Sequence, residues 1–330
     1  MRKLIIDTHI RGFADEYKTE LQKQCPNVVS DLETLSKFVS YNNTFKDATV
    51  VKDYIDAIIG DYPTLLIQEP KDWDLKKYDD ILKRESGLLN KKVLYSIDSK
   101  GKKHMDELYK RIVFCMRYTD ARRILGPIHQ NMGLKSCVYC NAASTLTGLD
   151  GDVFYQMDHY LPKSEYPFLC TCFYNLQPSC GICNGHKLTQ SSDFGLYVNA
   201  EQGKEVNPFL FVPQVVDIGG MGDHNCVDID FIGKYKKPTV ESKDHDRVFH
   251  IKSLYHGHRD KVKDLYDKNY KLNDSYIQAT QDSYGIKPTR QDVLAFMENF
   301  PTEEERIHDK PFTKLKQDTM KQLKEIWLKK

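Results

Sequence analysis

Two C-x2-C pairs constrain this chain more than any other feature of its sequence. Cys137 and Cys140 form the first pair, and Cys180 and Cys183 form the second. A C-x2-C turn places two thiols on the same side, and two such turns complete the tetrahedral four-sulfur shell that a structural zinc ion prefers. Ordinary buried thiols and redox pairs are the alternatives, but neither requires two matched pairs. The sequence therefore predicts a Zn²⁺ site formed by these four residues.

The remaining cysteines have no partner at a matching spacing, and we expect them to be buried as small hydrophobic residues. They are Cys25, Cys115, Cys170, Cys172 and Cys226. An odd total of nine cysteines, without a secretory apolar segment near Met1, argues against a disulfide framework and favours a cytoplasmic protein. No apolar run approaches the roughly 20 residues that cross a bilayer, so we expect no membrane-spanning segment.

Length and charge limit the organisation of the chain. Its 330 residues allow two or three domains, and 40% hydrophobic residues suffice for a core. We expect a mostly helical α+β chain with a helical region over 1–130, a zinc-stapled module over 131–215, and a mixed, then helical region over 216–330 that packs on the module. Because 48 Lys and Arg balance 47 Asp and Glu, any nucleic-acid surface must be local.

Apolar spacing gives the expected elements. Helical periodicity predicts helices over 10–70, 104–125, 248–270, 290–300 and 312–330. Gly126 and Pro127 are expected to end the second of these helices. The charged segment 68–103 reads as a loop-rich connection with short helices, and alternation over 227–232 predicts a strand.

Residues suited to phosphodiester chemistry are concentrated between the two cysteine pairs. Hydrolysis of a phosphodiester needs an activated water and a cation that stabilises charge on the leaving oxygen. Asp158 and Asn184 offer hard oxygen ligands that suit Mg²⁺, and His159, whose ordinary pKa is about 6.5, can take a proton from water. Side chains of neighbouring strand residues point to opposite faces, so Asp158 and His159 need a strand end or a loop to reach one phosphate.

Several motifs in the segment 137–187 coincide with those of one known family. Asp-His is followed by Pro and Ser, Asn-Leu precedes the second cysteine pair, and Asn-x2-Lys follows it. The segment resembles the HNH, or ββα-metal, endonuclease family. The resemblance is tight over about fifty residues and implies a ββα fold and cleavage of nucleic acid.

The same resemblance implies roles for individual residues. His159 corresponds to the general base, Asp158 and Asn184 to the ligands of the catalytic metal, and Asn175 to the residue that orients the loop carrying the base. Lys187 matches a frequent basic residue of the final helix, which pairs with the scissile phosphate or with Asp158. The third signature position is Asn rather than His, and this H-N-N form favours Mg²⁺ or Mn²⁺ over a catalytic zinc.

Structural interpretations of these residues stand beside the catalytic one. The alternative role for His159 is that of a core histidine with a hydrogen bond to Asp158. His186 lies two residues after Asn184, about 200° away on a helix, and we expect it at the surface or on a phosphate. The tyrosines of the segment are expected to fill its small core. The alternative hypothesis for the whole segment is a non-catalytic zinc module that binds nucleic acid or protein.

The expected partner is nucleic acid, most directly double-stranded DNA, although the chemistry is equally possible on RNA. Local basic candidates are Lys163, Lys187, the turn 234–237 and the arginines of 111–123. Nucleases with long helical additions resemble effectors of prokaryotic restriction or anti-phage defence, some of which pair with an ATPase, as in Septu-like systems. A single site cuts one strand per encounter, so a homodimer is one route to a double-strand break.

Overall fold

The computed structural model describes residues 1–40, 45, 47–203, 205–217, 226–285 and 287–327. Most of these residues lie in helices, and the strands pair into small two-stranded sheets. The predicted α+β class is therefore confirmed.

The N-terminal region is helical, as predicted for 10–70, within the described residues. Its helices are α1 (Thr8–Gln24), α2 (Val28–Ser40), α3 (Ala48–Asp61) and α4 (Leu75–Leu82). Helix α1 begins where the Asp7 carboxylate accepts a hydrogen bond from the backbone N–H of Ile10, a typical N-cap. Positions 41–44 and 46 of the predicted helical segment lie outside the described residues.

The segment 92–131 differs from its prediction. Strands β2 (Lys92–Ile97) and β3 (Lys103–Glu107) form an antiparallel hairpin where a loop and the first turn of a helix were expected. Two helices follow, α5 (Leu108–Cys115) and α6 (Tyr118–Asn131), separated at Arg117, whose φ is +61°. Helix α6 continues through Pro127 because its buried face packs in the core on both sides of that residue, so the predicted stop is wrong.

The segment between the cysteine pairs has the predicted ββα order. Strand β4 (Gln156–His159) pairs antiparallel with β5 (Leu176–Ser179), and α7 (Gly181–Lys187) follows at once. The register places His159 opposite Leu176. His159 is the last residue of β4, so Asp158 and His159 lie at the strand end that the sequence analysis required.

The remaining elements complete the sheets and the C-terminal region. Strand β1 (Leu4–Ile5) pairs in parallel with β6 (Tyr197–Val198), and β7 (Phe209–Val215) pairs antiparallel with β8 (Val227–Gly233), which confirms the predicted strand. The C-terminal helices are α8 (Val240–Phe249), α9 (Ile251–His256), α10 (Arg259–Lys271), α11 (Asp274–Tyr284), α12 (Arg290–Met297) and α13 (Thr313–Trp327).

Two of the predicted C-terminal helices need comment. The helix expected over 248–270 is divided, because His250 adopts a left-handed conformation with φ of +52° between α8 and α9. Positions 328–330 of the helix expected over 312–330 lie outside the described residues.

Helices from both ends of the chain pack against the central ββα segment. The Tyr17 hydroxyl of α1 donates to Thr171 O at 2.7 Å, and the Tyr255 hydroxyl of α9 donates to Cys140 O at 2.6 Å. One cluster of buried apolar side chains includes residues of all three predicted regions, and the boundaries at 130 and 215 stay predictions. None of the helices in the described ranges is long and apolar enough to cross a membrane.

Candidate functional site

The four cysteines of the two C-x2-C pairs converge on one point. The Sγ atoms of Cys137, Cys140, Cys180 and Cys183 all lie within 4.8 Å of one another. Three of these residues are buried, and Cys180 is partly exposed. Four clustered thiols at such separations match the tetrahedral sulfur shell of a structural zinc ion. The structure therefore brings together the four cysteines that the sequence predicted, in a cluster that could hold a structural zinc ion.

The four thiols of the cluster differ in acidity. The backbone N–H of Ala142 points to Cys140 Sγ and that of Cys183 to Cys180 Sγ, both at 3.4 Å. Hydrogen bonds among the thiols lower the pKa of Cys140 and Cys180, whereas burial raises the pKa of Cys137 and hydrogen bonds with the other thiols raise that of Cys183. Because zinc binds the thiolate form, binding of the metal would release the remaining protons.

Asp158 lies in a buried polar network beside this cluster. Its Oδ2 accepts a hydrogen bond from the Tyr139 hydroxyl at 2.5 Å and lies 3.1 Å from Lys187 Nζ. The Lys187 side chain is completely buried, and it also donates to His159 O at 2.6 Å. Burial raises the pKa of Asp158, while Lys187 and Tyr139 oppose that rise. Of the two partners expected for Lys187, the structure shows Asp158.

His159 points to the other side of β4. Its Nε2 lies 3.0 Å from Cys170 O, and because a carbonyl oxygen only accepts, Nε2 carries the proton and Nδ1 is the basic nitrogen. Burial, reinforced by the charge of Lys163, lowers the pKa of His159 to about 3, so the ring is neutral at cellular pH. The histidine is thus bonded to a backbone carbonyl and not to Asp158, unlike the core pair considered as an alternative.

Two residues outside the motif complete the surroundings of His159. The Tyr118 ring lies 4.8 Å from the histidine ring, and its hydroxyl donates to Met157 O at 2.9 Å. Lys163 Nζ lies 4.5 Å from the centre of the Tyr118 ring, and burial lowers the pKa of this lysine. A cation therefore lies next to the histidine, where the oxygens of a phosphate would find a counter-charge.

Asn175 fastens the loop that follows His159. Its Oδ1 accepts from the backbone N–H of Leu161 at 2.8 Å, and its Nδ2 donates to the carbonyls of Leu161 and Leu169, both at 3.1 Å. The side chain is fully buried. Both ends of the loop that carries Lys163 are thereby fixed relative to β5.

Asn184 is half-buried in α7, three residues before Lys187. Its assignment, together with Asp158, as a ligand of a catalytic metal stays a prediction. One carboxylate and one amide suit Mg²⁺, which keeps most of its coordination positions for water and substrate phosphate. Apart from the four cysteines, no cluster of three acidic, histidine or cysteine ligands occurs in the described ranges.

The structure also locates the other predicted nucleic-acid contacts. His186 is half-buried against the His250 ring, with 4.8 Å between ring centres. Arg122 donates to Val153 O and Tyr155 O, which is a structural role. The arginines of 111–123 do not form one continuous basic helix, because α5 and α6 are separated at Arg117.

Sequence reasoning missed two site residues. Tyr139 was expected to be a core residue, and it is fully buried, yet its hydroxyl contacts Asp158. Tyr118 lies outside the motif, and only the tertiary structure brings it to His159. For Tyr139, the one signal in the sequence was its position inside the first C-x2-C pair.

Comparison with known proteins gives one partial similarity. A stretch of 62 residues is 42% identical to the Septu protein PtuB of Bacillus thuringiensis, and it covers 18% of this chain. The chain spans only 22% of the length of that relative. No protein-family model matches the chain, and no solved structure matches it.

Proposed function

We propose that the chain is a metal-dependent endonuclease that hydrolyses phosphodiester bonds of DNA, with His159 as the general base. The observation that carries the proposal is the state of His159. Its proton is on Nε2, bonded to Cys170 O, so Nδ1 is left as the proton acceptor at the end of β4. This arrangement is what a base requires to deprotonate water.

The neighbouring residues supply the rest of the chemistry. Cys170 O fixes the histidine tautomer, and Asn175 fixes the loop that approaches the substrate. Lys163 holds a non-bridging phosphate oxygen next to the base. Asp158 and Asn184 would hold Mg²⁺ or Mn²⁺, which stabilises the charge that develops on the leaving oxygen.

Lys187 gives the site a second, fixed positive charge. Its ammonium contacts Asp158 Oδ2 and His159 O together, and it therefore sets the relative positions of the metal ligand and the base. This buried pair supports a preorganised site, in which the groups do not have to move together when substrate binds.

The test is cleavage of supercoiled plasmid by zinc-loaded protein in Mg²⁺, Mn²⁺ or EDTA, with a generic RNA in parallel. We expect nicked or linear plasmid in the presence of either metal and none in EDTA. Cleavage of RNA alone would correct the substrate, and equal cleavage in EDTA would refute the role of a metal.

One observation favours a second candidate, a non-catalytic zinc module that binds nucleic acid or protein. Asp158 and His159 are only 4% and 6% exposed, and Asp158 Oδ2 already has two partners. In such a module the network would serve folding alone. Binding of DNA without cleavage in any of the tested metals would favour this candidate.

We propose anti-phage defence as the biological role, on the strength of the partial similarity to the Septu protein PtuB. A protein partner such as an ATPase would then activate the nuclease or direct it to its target. Expression of the chain with its genomic neighbours should lower the plating efficiency of phage, and His159→Ala should restore it.

A further inference from the structure

We propose that the β2–β3 hairpin is an arm that binds the sugar–phosphate backbone of duplex DNA next to the cleavage site. The proposal deepens the proposed function and rests on it for the identity of the substrate. It concerns a surface outside the segment 137–187 and is carried by the shape, charge and position of the hairpin.

The tip of the hairpin is a fixed turn. Asp98 Oδ1 accepts hydrogen bonds from the backbone N–H groups of Lys100 and Lys102, both at 2.9 Å. Gly101 adopts a φ of +77°, and its N–H donates to Asp98 O at 2.9 Å. Such Asx-capped turns hold their backbone firmly, so the side chains of the tip leave the molecule in a defined direction.

Three lysines at this tip are available for a ligand. Lys100, Lys102 and Lys103 are exposed, and the structure shows no ion pair for them among the residues it describes. The Asp98 carboxylate that caps the turn offsets one of these three charges, so the tip keeps a net charge of +2. In a chain with a formal charge of +1, this is a local concentration of positive charge.

A fourth cation lies at the base of the hairpin. The Arg111 guanidinium of α5 stacks 3.7 Å from the centre of the Tyr95 ring and 4.4 Å from that of Phe114. Phe114 is 61% exposed. The Arg111 Nε is buried, but a guanidinium held flat on aromatic rings keeps its outer N–H groups available for a phosphate. Exposed aromatic residues between cations are common at nucleic-acid surfaces.

The hairpin is connected to the candidate site by one short helix. β3 spans about 17 Å, and α5 spans about 12 Å. Tyr118, whose ring packs on His159, comes three residues after the end of α5. These three residues span at most about 10 Å, so the tip lies within roughly 45 Å of the base. A duplex of 30 base pairs, about 100 Å long, is long enough to reach both the arm and the site.

The proposal predicts a measurable loss of affinity. A protein–phosphate contact adds about 0.9 to the slope of log K against log salt. At 0.15 M salt this corresponds to about fivefold in affinity per contact, and to roughly a hundredfold for three. Replacing Lys100, Lys102 and Lys103 together by Gln should weaken binding by this amount and lower the salt slope by about 2.7.

The experiment uses the full zinc-loaded chain and a fluorescent 30-base-pair duplex in buffer without Mg²⁺ or Mn²⁺, so that binding is measured without cleavage and without a chelator that would remove the zinc. The matched control replaces by Gln three exposed lysines that lie in helices away from the hairpin. It changes the net charge by the same amount. The three lysines are Lys76, Lys243 and Lys271. Fluorescence anisotropy over 0.05–0.3 M salt gives the affinity and the slope, and zinc content with circular dichroism shows that each variant is folded.

The outcomes separate this inference from the proposed function. A selective loss of affinity in the hairpin variant supports the arm, whether or not wild type cleaves DNA. Equal affinities of the two variants, or no binding of duplex by wild type, would overturn the inference. Cleavage by wild type together with equal affinities would leave the nuclease in place without its arm.

Discussion

Replacing Lys187 by methionine perturbs the most deeply buried charge of the candidate site. The Lys187 side chain is 0% exposed and the Asp158 side chain 5%, with 3.1 Å between Nζ and Oδ2. Methionine has a similar length, so the main change is loss of the ammonium. The Asp158 carboxylate would then stay buried with the Tyr139 hydroxyl as its remaining donor to Oδ2.

The expected loss of unfolding free energy follows from the burial of the Asp158–Lys187 ion pair. Removing one partner of a buried ion pair costs about 3–5 kcal/mol, because the other charge is left uncompensated. The hydrogen bond from Lys187 to His159 O is lost as well, and an unsatisfied buried carbonyl adds about 1–3 kcal/mol. Against a total stability of roughly 5–15 kcal/mol, we expect Lys187→Met to shift the urea midpoint strongly.

The double variant Asp158→Asn/Lys187→Met removes both charges. It therefore separates the effect of the unpaired charge on stability from the effect of the changed side-chain shape. We expect it to recover at least about 2 kcal/mol of the loss, since no unpaired carboxylate remains. The assay is urea unfolding of zinc-loaded protein followed by circular dichroism. A loss below about 1 kcal/mol in Lys187→Met, or a double variant no more stable than this single variant, would refute the reasoning.

Three further predictions concern the same segment. Cys180→Ser removes one of four zinc ligands, and we expect zinc content well below one per chain by elemental analysis; full retention would contradict the cluster as a zinc site. Asn175→Ala leaves three buried groups of Leu161 and Leu169 unsatisfied, so the unfolding free energy should fall by about 3 kcal/mol; an unchanged midpoint would contradict this. Tyr139→Phe removes a hydrogen bond to a carboxylate, and we expect a loss of about 1.5–3 kcal/mol in urea unfolding; equal stability would show that the bond contributes nothing.

The local part of the site could be predicted from the sequence. The spacing of the cysteines was sufficient for the four-sulfur cluster, and the resemblance to the HNH family implied the two strands followed by a helix. Both features depend on residues within about fifty positions of one another. The tertiary contacts of Tyr118 with His159, and of Thr171 with Tyr17, join distant segments and leave no spacing signal.

The two errors in the fold have different origins. The segment around the β2–β3 hairpin reads as charged loop because lysines dominate its turn, and the Asp98 side chain that closes the turn is a single weak signal. Pro127 was taken as a helix end from local preference alone, but burial of Ala121, Leu125 and Ile128 keeps α6 continuous. At Pro127 tertiary packing overrides local propensity, whereas the hairpin turn is a local feature with a weak sequence signal.

Cleavage by His159→Ala is the most direct test of the proposed function. The variant and wild type would be compared under single-turnover conditions on supercoiled plasmid with Mg²⁺ or Mn²⁺. Zinc analysis and urea unfolding would first show that the two proteins have equal zinc content and similar unfolding midpoints. We predict that wild type cuts and that loss of the base slows cleavage by about 10²–10⁴-fold. Cleavage by His159→Ala at the wild-type rate would contradict the assignment of His159 as the general base.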